Sequence, residues 1–388
     1  MEGKKLLLKG RVITPKGISP QNFVLKTEGH SISYIGESEV FLPGGSHDIY
    51  NFESCYICPG FIDIHVHGSA GADIVDGTPE SVRTVAGWLV RGGTTGFLAT
   101  TISTPKEIMI SAVRSAASLT NVNIKAAKVL GVHLEGPFLN KEKKGAQKGE
   151  YLRPPSVNEL KEYIEAGRGA VRMITIAPEL PGAIEVIRYA QSQGLIVSLG
   201  HSRASITQVE EACDAGLTHV SHAFNAMAGL HHRDPGTIGA ILSNKRLTVD
   251  VIADGYHVNP AIVKILASAK GINNVIAITD CNTCGGLGDG VYIMGGQTVT
   301  VREGKTYLDD GTIAGSTISM VDVVKVLVEQ VGLDLWEAMQ LVSANPARFL
   351  GLDLKGALLT GNDADIVVLD HEFRVLMTIV EGEVVFRQ

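Results

Sequence analysis

The sequence has no long apolar run, which excludes a membrane-spanning helix. No stretch of its 388 residues approaches the ~20 apolar residues that such a helix requires. The first segment, "MEGKKLLLKGR", contains only three adjacent leucines, too few for the apolar core of a secretory signal. We therefore expect a cytoplasmic protein without membrane contact.

The sequence also lacks an excess of positive charge. Its formal net charge is −7 and its isoelectric point is near 6.0, which does not favour nucleic-acid binding. An anionic substrate would have to be held by local basic groups. Hydrophobic residues make up 45% and charged residues 19% of the chain, as is typical of a folded protein rather than a disordered one.

Cysteine is scarce, with five residues in the chain. An odd number without a secretory signal predicts reduced thiols. Cys55 with Cys58, and Cys281 with Cys284, form two CxxC pairs, but these lie too far apart along the chain for a zinc ribbon. We interpret the cysteines as buried or half-buried thiols.

The fingerprints of two other enzyme classes are missing. The segment "GGLGDG" around Gly286 follows a predicted strand but precedes no predicted helix, as a phosphate-binding glycine loop would require. The sequence has no Gly-x-Ser-x-Gly motif, which marks one class of serine hydrolases. Neither nucleotide binding nor that serine-based hydrolysis is indicated.

Both chain ends alternate apolar and polar residues in short segments, as half-buried strands do. The last segment, "FRVLMTIVEGEVVFRQ", predicts a hairpin that turns at Glu381 and Gly382. Because an isolated hairpin is marginally stable in water, we expect the two ends to pack together. The predicted unit is a small β-sandwich domain formed by residues 1–57 with residues 353–388.

Residues 58–352 show a different pattern, in which short β-branched runs alternate with longer amphipathic segments. Several amphipathic segments begin after Ser or Thr and end at Gly, as helices do. These alternations favour an α/β fold, a (β/α)8 TIM-type barrel, over an open doubly wound sheet. Further helices near residues 316–331 and 335–343 would complete the barrel. The predicted strands are 60–64, 95–99, 129–133, 172–176, 195–199, 218–221, 247–252 and 275–278.

Histidines and acids recur where the predicted strands end. In a barrel these positions meet at one mouth, where catalytic groups lie. A single histidine is more often a core or capping residue, and a single aspartate a turn residue, but the repeated placement favours one shared site. The residues are His65, His67, Glu135, His201, His222, His257 and Asp280.

This set of side chains predicts a divalent-metal site. His65 and His67 are two apart on an extended segment, so their side chains point the same way. Imidazole and carboxylate suit zinc, iron and similar metals, which activate water and polarise a carbonyl. Asp280 could accept and return a proton. The expected chemistry is hydrolysis of an amide or related bond without a covalent intermediate.

The motifs resemble those of a known family. "PGFIDIHVHG" is similar to the amidohydrolase superfamily, and "GVHLEGPF", "APE", "GHS", "HAFNAM", "LHHRDPG", "ADGYHV", "ITD" and "TIAGS" follow the order of its N-acetylglucosamine-6-phosphate deacetylase family. The resemblance covers the barrel and extends into both ends. It implies an amidohydrolase-type barrel that hydrolyses the acetamide of N-acetylglucosamine 6-phosphate to glucosamine 6-phosphate and acetate, in amino-sugar catabolism. It also implies one or two divalent ions per subunit, with zinc foremost and iron or another transition metal as alternatives.

The resemblance further implies roles for individual residues. Asp280 would act as general base and then as acid, and Arg233 would reach the neighbouring site of a homodimer. One metal would be held by Glu135, His201 and His222, and a second by His65, His67 and Asp280, with Glu135 able to bridge them. The residues implied in substrate binding are Ala146, Gln147, Asn225, Ala226, Arg233, His257, Ile313, Ala314 and Gly315.

Two places depart from the family pattern. The family usually has histidine where this chain has Gln147, near the acetyl group of the substrate. Glutamine keeps a hydrogen-bond donor but does not titrate. Cys281 and Cys284 follow Asp280 where the family usually has small residues and Ser or Ala, and we interpret them as small fillers.

Three alternatives remain open from the sequence. Gln147 leaves room for the same reaction on an epimer such as N-acetylgalactosamine 6-phosphate. A cyclic-amide hydrolase of the superfamily usually needs a carboxylated lysine at the end of the fourth strand, where this chain reads "ITIAPE". A non-catalytic sugar-phosphate binder is disfavoured by the complete ligand set and by Asp280.

Overall fold

The structure is a computed structural model that describes residues 5–37 and 47–388. Its strands are β1 (Lys5–Thr14), β2 (Gly17–Ile18), β3 (Phe23–Glu28), β4 (Ser31–Glu37), β5 (Asp48–Pro59), β6 (Phe61–Val66), β7 (Gly68–Ser69), β8 (Ala72–Asp73), β9 (Thr94–Thr101), β10 (Lys128–Glu135), β11 (Val171–Ile176), β12 (Ile196–Leu199), β13 (Leu217–Val220), β14 (Thr248–Ile252), β15 (Val275–Ile278), β16 (Gly290–Met294), β17 (Gln297–Arg302), β18 (Lys305–Tyr307), β19 (Ile366–Leu369), β20 (Val375–Val380) and β21 (Glu383–Arg387). Its α-helices are α1 (Pro79–Leu89), α2 (Lys106–Ala117), α3 (Val157–Gly167), α4 (Ala183–Ser192), α5 (Ile206–Ala215), α6 (Gly236–Ser243), α7 (Pro260–Lys270), α8 (Met320–Val326), α9 (Leu335–Met339) and α10 (Asn345–Phe349).

The central sheet is a parallel barrel. Within the described residues, β6 and β9–β15 pair in chain order, and helices separate most of these strands along the sequence. Each of the eight predicted barrel strands overlaps one of them, so the predicted (β/α)8 fold is confirmed. One difference concerns the site directly, because β10 ends at Glu135 itself rather than at residue 133.

Burial explains why these segments become strands. Every residue of β6 and β9 is buried, because the barrel interior covers one face of each strand and the helices cover the other. The helices bury one face only. In α3, for example, Leu160 and Tyr163 are buried, and Ser156 caps the first turn by accepting a hydrogen bond from the amide of Glu159.

The barrel closes between its first and last strands through a few backbone hydrogen bonds. No continuous ladder joins β6 to β15 in the part of the chain that the structure describes. Instead, the amide of Asp280 donates to the carbonyl of His65 over 3.1 Å, and the amide of His67 donates to the carbonyl of Cys281 over 2.9 Å. This seam therefore brings the residues after β15 beside the predicted metal ligands of β6.

The two chain ends form one mixed sheet, in the order β21-β20-β19-β5-β1-β3-β4 with β2 beside β1. The sheet has its own apolar core. The hairpin between β20 and β21 turns at Glu381 and Gly382, as predicted. The predicted boundary after residue 57 falls inside β5. Residues 1–4 and 38–46 of the predicted range lie outside the described residues.

An antiparallel meander of β16, β17 and β18 follows the barrel's last strand, and the sequence analysis did not anticipate it. Gly295 and Gly296 form its first turn, with φ of 53° and 73°. The meander is tied to the loop after β10, because the side-chain amide of Gln297 donates to the carbonyl of Ala146 over 2.9 Å. It thereby becomes a wall of the cavity described below.

The helices predicted after the barrel strands are present. The first consists of α8 and a π-helical continuation, Leu327–Val331. The second begins with α9 and continues through the π-helical segment Gln340–Ala344 into α10. Among the described residues, no helix is both long enough and apolar enough to cross a membrane.

Candidate active site

The side chains predicted at the strand ends meet at the carboxyl mouth of the barrel. His65 lies within β6, and Glu135 is the last residue of β10. His201, His222 and Asp280 each lie two residues beyond β12, β13 and β15. The loops that begin there turn these three side chains back over the strand ends.

These three loop residues have an unusual backbone conformation. His201, His222 and Asp280 adopt positive φ angles of 48°, 34° and 49°. A left-handed conformation costs a residue other than glycine roughly 1–3 kcal/mol, and it is frequent at functional sites. We infer that the position of these side chains, rather than local stability, accounts for their conformation.

Glu135 lies at the centre of the cluster. Its Oε1 atom is 2.9 Å from Nε2 of His222 and 3.2 Å from Nε2 of His65. The same oxygen is 3.3 Å from Nε2 of His201. One carboxylate oxygen therefore faces three imidazole nitrogens, one from β6 and two from the loops after β12 and β13.

Asp280 extends the cluster across the seam of the barrel. Its Oδ1 atom is 3.2 Å from Nε2 of His67 and 3.6 Å from Nε2 of His65. Ligand atoms of His65, His67 and Asp280 lie within 4.8 Å of one another, and those of His65, Glu135 and His222 do the same. His65 thus belongs to both groups, whereas His201 joins the cluster through its contact with Glu135.

The close packing of acids and imidazoles shifts their pKa values. Burial alone would lower the pKa of His222, but its hydrogen bond to Glu135 and the nearby carboxylates raise it to about 9. Burial alone would raise the pKa of Glu135, but hydrogen bonds from His201 and His222 hold it well below its usual range. In Asp280, burial is likewise outweighed by the neighbouring imidazoles, and its pKa is lowered. Both acids are therefore ionised at neutral pH.

A divalent metal fits this cluster. Nε2 of His65 is buried beside Glu135, yet it makes no hydrogen bond to any described residue, which is costly for a buried polar atom without a ligand. Nδ1 of His201 donates to the carbonyl of Lys143 over 2.8 Å. This bond leaves the Nε2 lone pair for a metal, as in many metal sites. The imidazole and carboxylate donors match zinc, iron and related ions.

The cluster opens into a cavity of about 370 Å³, a size suited to a small molecule. His65 is completely buried behind it. The other five candidate metal ligands line it: His67, Glu135, His201, His222 and Asp280. Eight residues with predicted substrate contacts also line it: Ala146, Gln147, Asn225, Ala226, His257, Ile313, Ala314 and Gly315.

Comparison with known proteins identifies the family to which this fold belongs. The sequence model of the Amidohydrolase family matches residues 56–385, which is more than half of the chain. The chain belongs to the amidohydrolase family. Its relatives include N-acetylglucosamine-6-phosphate deacetylase of Bacillus subtilis, which is 37% identical over 85% of this chain and 84% of the relative. N-acetylgalactosamine-6-phosphate deacetylase of Escherichia coli is 36% identical over 84% of this chain and 87% of the relative.

Solved structures resemble this amidohydrolase over its whole length. One is a variant of N-acetyl-D-glucosamine-6-phosphate deacetylase from Mycobacterium smegmatis in complex with N-acetyl-D-glucosamine-6-phosphate. It has a TM-score of 0.92 and 32% identity, and the match covers 99% of this chain and 100% of the other. The N-acetylglucosamine-6-phosphate deacetylase of Thermotoga maritima has a TM-score of 0.86 and 33% identity, with full coverage of both chains.

One wall of the cavity of this amidohydrolase offers groups that suit an anion. Ala226 has a φ of 53°, and its backbone N–H donates to no group among the described residues. Nδ1 of His257 lies 2.6 Å from Oδ2 of Asp254, which leaves Nε2 of the ring for a ligand. Consecutive turns with unpaired amides bind anions in many proteins. Asp254 was not among the predicted site residues.

Arg233 lies outside this cavity. It is exposed, and its Nη1 atom lies 2.8 Å from Nε2 of His232 in the same loop. His231 is exposed as well. The predicted contact of Arg233 concerns a neighbouring subunit's site and stays a prediction.

The cysteines beside Asp280 are buried free thiols. Cys284 packs in an apolar cluster with Met294, Val299 and Ala314 behind the cavity wall. Burial raises the pKa of the Cys284 thiol to about 11. Its apolar packing and its raised pKa agree with the interpretation of Cys284 as a small side chain that fills space in the protein interior.

Several residues of the site were missed by the sequence analysis. Asp73, the last residue of β8, and Asn282 line the cavity. The side chain of Asn282 donates to the carbonyl of Ala314 over 2.6 Å. Asp250 is buried in β14 and accepts a hydrogen bond from the backbone amide of His222. An acid within an apolar strand such as "TVDVI" is the one signal that could have indicated Asp250.

Proposed function

We propose that this amidohydrolase hydrolyses the acetamide of N-acetylglucosamine 6-phosphate and releases acetate and glucosamine 6-phosphate. The observation that carries the proposal is the set of imidazoles and carboxylates around Glu135, which opens into a cavity lined by the predicted sugar-phosphate contacts. The Bacillus subtilis relative and both solved structures named above bear this activity in their names. Their similarity to this chain supports the same reaction here.

The residues that would hold a divalent metal are Glu135, His201 and His222, with His65, His67 and Asp280 able to hold a second ion. A bound metal of this kind would lower the pKa of a water molecule and polarise the acetamide carbonyl. Zinc is the metal we propose first, and iron or another transition metal is the alternative, because each accepts imidazole with carboxylate.

Asp280 would move the proton in this reaction. Its pKa is lowered, so the carboxylate is ionised at neutral pH and can accept a proton from the attacking water. The leaving amine requires a proton when the C–N bond breaks, and the protonated Asp280 would supply it. The same side chain would therefore act first as base and then as acid.

The phosphate and sugar would be held on the opposite wall. The unpaired N–H of Ala226 and the ring of His257 can donate to phosphate oxygens. Asn225 immediately precedes Ala226 and lines the same cavity. Burial of the acetamide against the metal residues, with the phosphate at this wall, would orient the scissile bond. The loop of Ile313 and Gly315 would complete the sugar pocket.

The test is acetate release by the metal-loaded protein. We expect turnover of N-acetylglucosamine 6-phosphate and a lower kcat/KM with N-acetylgalactosamine 6-phosphate. The epimer is the second candidate because a relative of similar identity is named for it. A higher kcat/KM on the galactosamine substrate would reverse the assignment, and loss of acetate release on both would refute the proposed reaction.

We also propose a homodimer in which Arg233 reaches the neighbouring cavity. It is exposed and lies outside the cavity of its own subunit, which leaves it available to a second subunit. Light scattering would establish the dimer. If R233A raises KM for the phosphorylated sugar, the residue contributes to the site; a KM that stays unchanged would contradict that contribution.

A further inference from the structure

A short chain of buried hydrogen bonds runs from Ser103 through Gln147 to Glu135. The backbone amide of Ser103 donates to Oε1 of Gln147 over 2.7 Å. On the other side, Nε2 of Gln147 donates to Oε2 of Glu135 over 2.5 Å. Gln147 is 5% exposed, so water does not compete freely for these bonds.

The two bonds determine the orientation of the glutamine amide. A backbone N–H can only donate, so the Gln147 atom that faces Ser103 must be the carbonyl oxygen. The NH₂ group therefore faces Glu135, whose ionised carboxylate can only accept. An exchange of the two amide atoms would place oxygen against oxygen at Glu135 and two donors against each other at Ser103.

This orientation makes the two oxygens of Glu135 unequal. Oε1 lies within 3.3 Å of Nε2 of His65, His201 and His222. Oε2 accepts the hydrogen bond from Gln147. Its distance to Nε2 of His67 is 3.6 Å. The oxygen that faces most of the candidate ligand nitrogens is therefore the one that Gln147 leaves free.

We propose that Gln147 is a positioning residue that occupies Oε2 of Glu135 and reserves Oε1 for the metal. This inference deepens the proposed function, because it concerns the same metal site. Since an amide does not titrate, the arrangement holds across the pH range in which the protein is folded. Gln147 would thereby strengthen metal binding through the orientation of a ligand, without touching the metal itself.

The principal variant is Gln147→Met, which has a similar length and no hydrogen-bond donor. The matched control is Gln297→Met, because Gln297 donates to Ala146 in the same loop and makes no contact with Glu135. The measurement is the affinity of the metal-free proteins for Zn²⁺ in competition with a chromophoric chelator, together with the visible absorption spectrum of the Co²⁺-loaded proteins. Circular dichroism of the metal-free proteins reports whether each variant is folded.

We expect Q147M to bind Zn²⁺ about 10–100-fold more weakly than wild type, the usual effect of losing a partner that orients a ligand. Its Co²⁺ spectrum should also differ from that of wild type, because the released Oε2 changes the coordination of the ion. Q297M should keep the wild-type affinity and spectrum. Wild-type affinity and spectrum in Q147M, or equal losses in Q147M and Q297M, would overturn the proposal.

A second variant keeps the test decisive if Q147M does not fold. Gln147→His restores an N–H donor toward Glu135, so it should retain most of the wild-type Zn²⁺ affinity. A loss in folded Q147H as large as 10-fold would count against a donor role. No substrate enters these measurements, so absent deacetylase activity would refute the proposed function without changing the result for Gln147.

Discussion

The hydroxyl of Thr279 donates to Oδ2 of Asp63 over 2.5 Å, across the seam between the first and last strands of the barrel. Both side chains are completely buried. The same hydroxyl accepts a hydrogen bond from the amide of Cys281 over 3.1 Å. Asp63 stands two residues before His65, and Thr279 immediately precedes Asp280. This pair therefore aligns the two strands that carry the candidate ligands and the candidate base.

We predict that Thr279→Val destabilises the protein by about 1–3 kcal/mol, the typical cost of leaving a buried polar group without its hydrogen-bond partner. Valine has nearly the same shape, so the loss would come from the hydroxyl rather than from packing. Urea unfolding of the metal-free protein measures the change. Thr279→Ser keeps the hydroxyl and serves as the control. Equal stabilities of T279V and wild type would show that the pair does not hold the seam.

The second prediction concerns the proposed proton transfer by Asp280. Asp280→Asn removes the base while it preserves the shape of the side chain, and we expect kcat to fall about 10²–10⁴-fold. Substrate binding, measured by calorimetry on the metal-loaded variant, should persist. Metal content must be determined in parallel, because Asp280 is also a candidate ligand. Turnover at the wild-type rate with full metal content would refute the role of Asp280.

The third prediction concerns the pair of Asp254 and His257. Oδ2 of Asp254 accepts from Nδ1 of His257, and its Oδ1 accepts from the backbone amides of Tyr256 and His257. Asp254→Asn would remove the negative charge that faces Nδ1 of His257 and stabilises a ring that donates from both nitrogens, so the contact of Nε2 with phosphate would weaken. We expect KM to rise about tenfold, which corresponds to the lower end of a 1.5–3 kcal/mol charge-assisted bond. An unchanged KM in initial-rate assays would exclude this role.

The same pair should make stability depend on pH. Burial alone would raise the pKa of Asp254, but the hydrogen bond and charge of His257 lower it overall. The stabilisation is therefore present above the unfolded pKa of about 4 and is lost as pH falls through the lower folded pKa. In urea unfolding of metal-free protein, wild type should lose more stability than D254N on acidification below about pH 4. Parallel losses in both proteins would contradict the lowered pKa.

The fourth prediction concerns the buried amine of Lys355 in the domain formed by the chain ends. Its Nζ atom lies 2.7 Å from carboxylate oxygens of both Asp363 and Asp365. Removal of the amine by Lys355→Met would leave the buried carboxylate of Asp365 without its cation, at a cost of about 3–5 kcal/mol. Thermal and urea unfolding would measure this loss.

An exposed ion pair provides the control for Lys355. Nη1 of Arg246 lies 2.6 Å from Oδ1 of Asp214, and both side chains are mostly exposed. Arg246→Met should change stability by no more than about 1 kcal/mol. If K355M and R246M lose the same small amount of unfolding free energy, burial does not strengthen the interactions of Lys355.

Local sequence patterns were sufficient to predict the barrel fold. Each barrel strand is a short run of buried apolar residues, and each run has a helix-forming neighbour with one apolar face, so the periodicity follows directly from burial on both faces of the sheet. The strand-end placement of His201, His222 and Asp280 followed from the same pattern. The hairpin at Glu381 and Gly382 could be predicted from the sequence. Both residues of its turn adopt positive φ, a conformation that glycine favours.

The meander of β16, β17 and β18 could not be predicted from local sequence patterns. Its strands are short and half exposed, and glycines lie in the turns between them, so their apolar pattern resembles that of a loop. What stabilises the meander is its contact with other parts of the chain, including the bond from Gln297 to Ala146 and the apolar cluster around Cys284. Tertiary context overrides weak local preference in such segments.

The sequence by itself determined which side chains stand at the barrel mouth, because the order of strands and the carboxyl-end rule place them there without knowledge of their contacts. Only the tertiary structure decided how they act on one another. It brought Gln147 between Ser103 and Glu135, paired Asp254 with His257, and placed Asp63 against Thr279. The amide, carboxylate and hydroxyl groups of these residues have several possible partners, and their choice depends on distances of a few ångströms between segments that are remote along the chain.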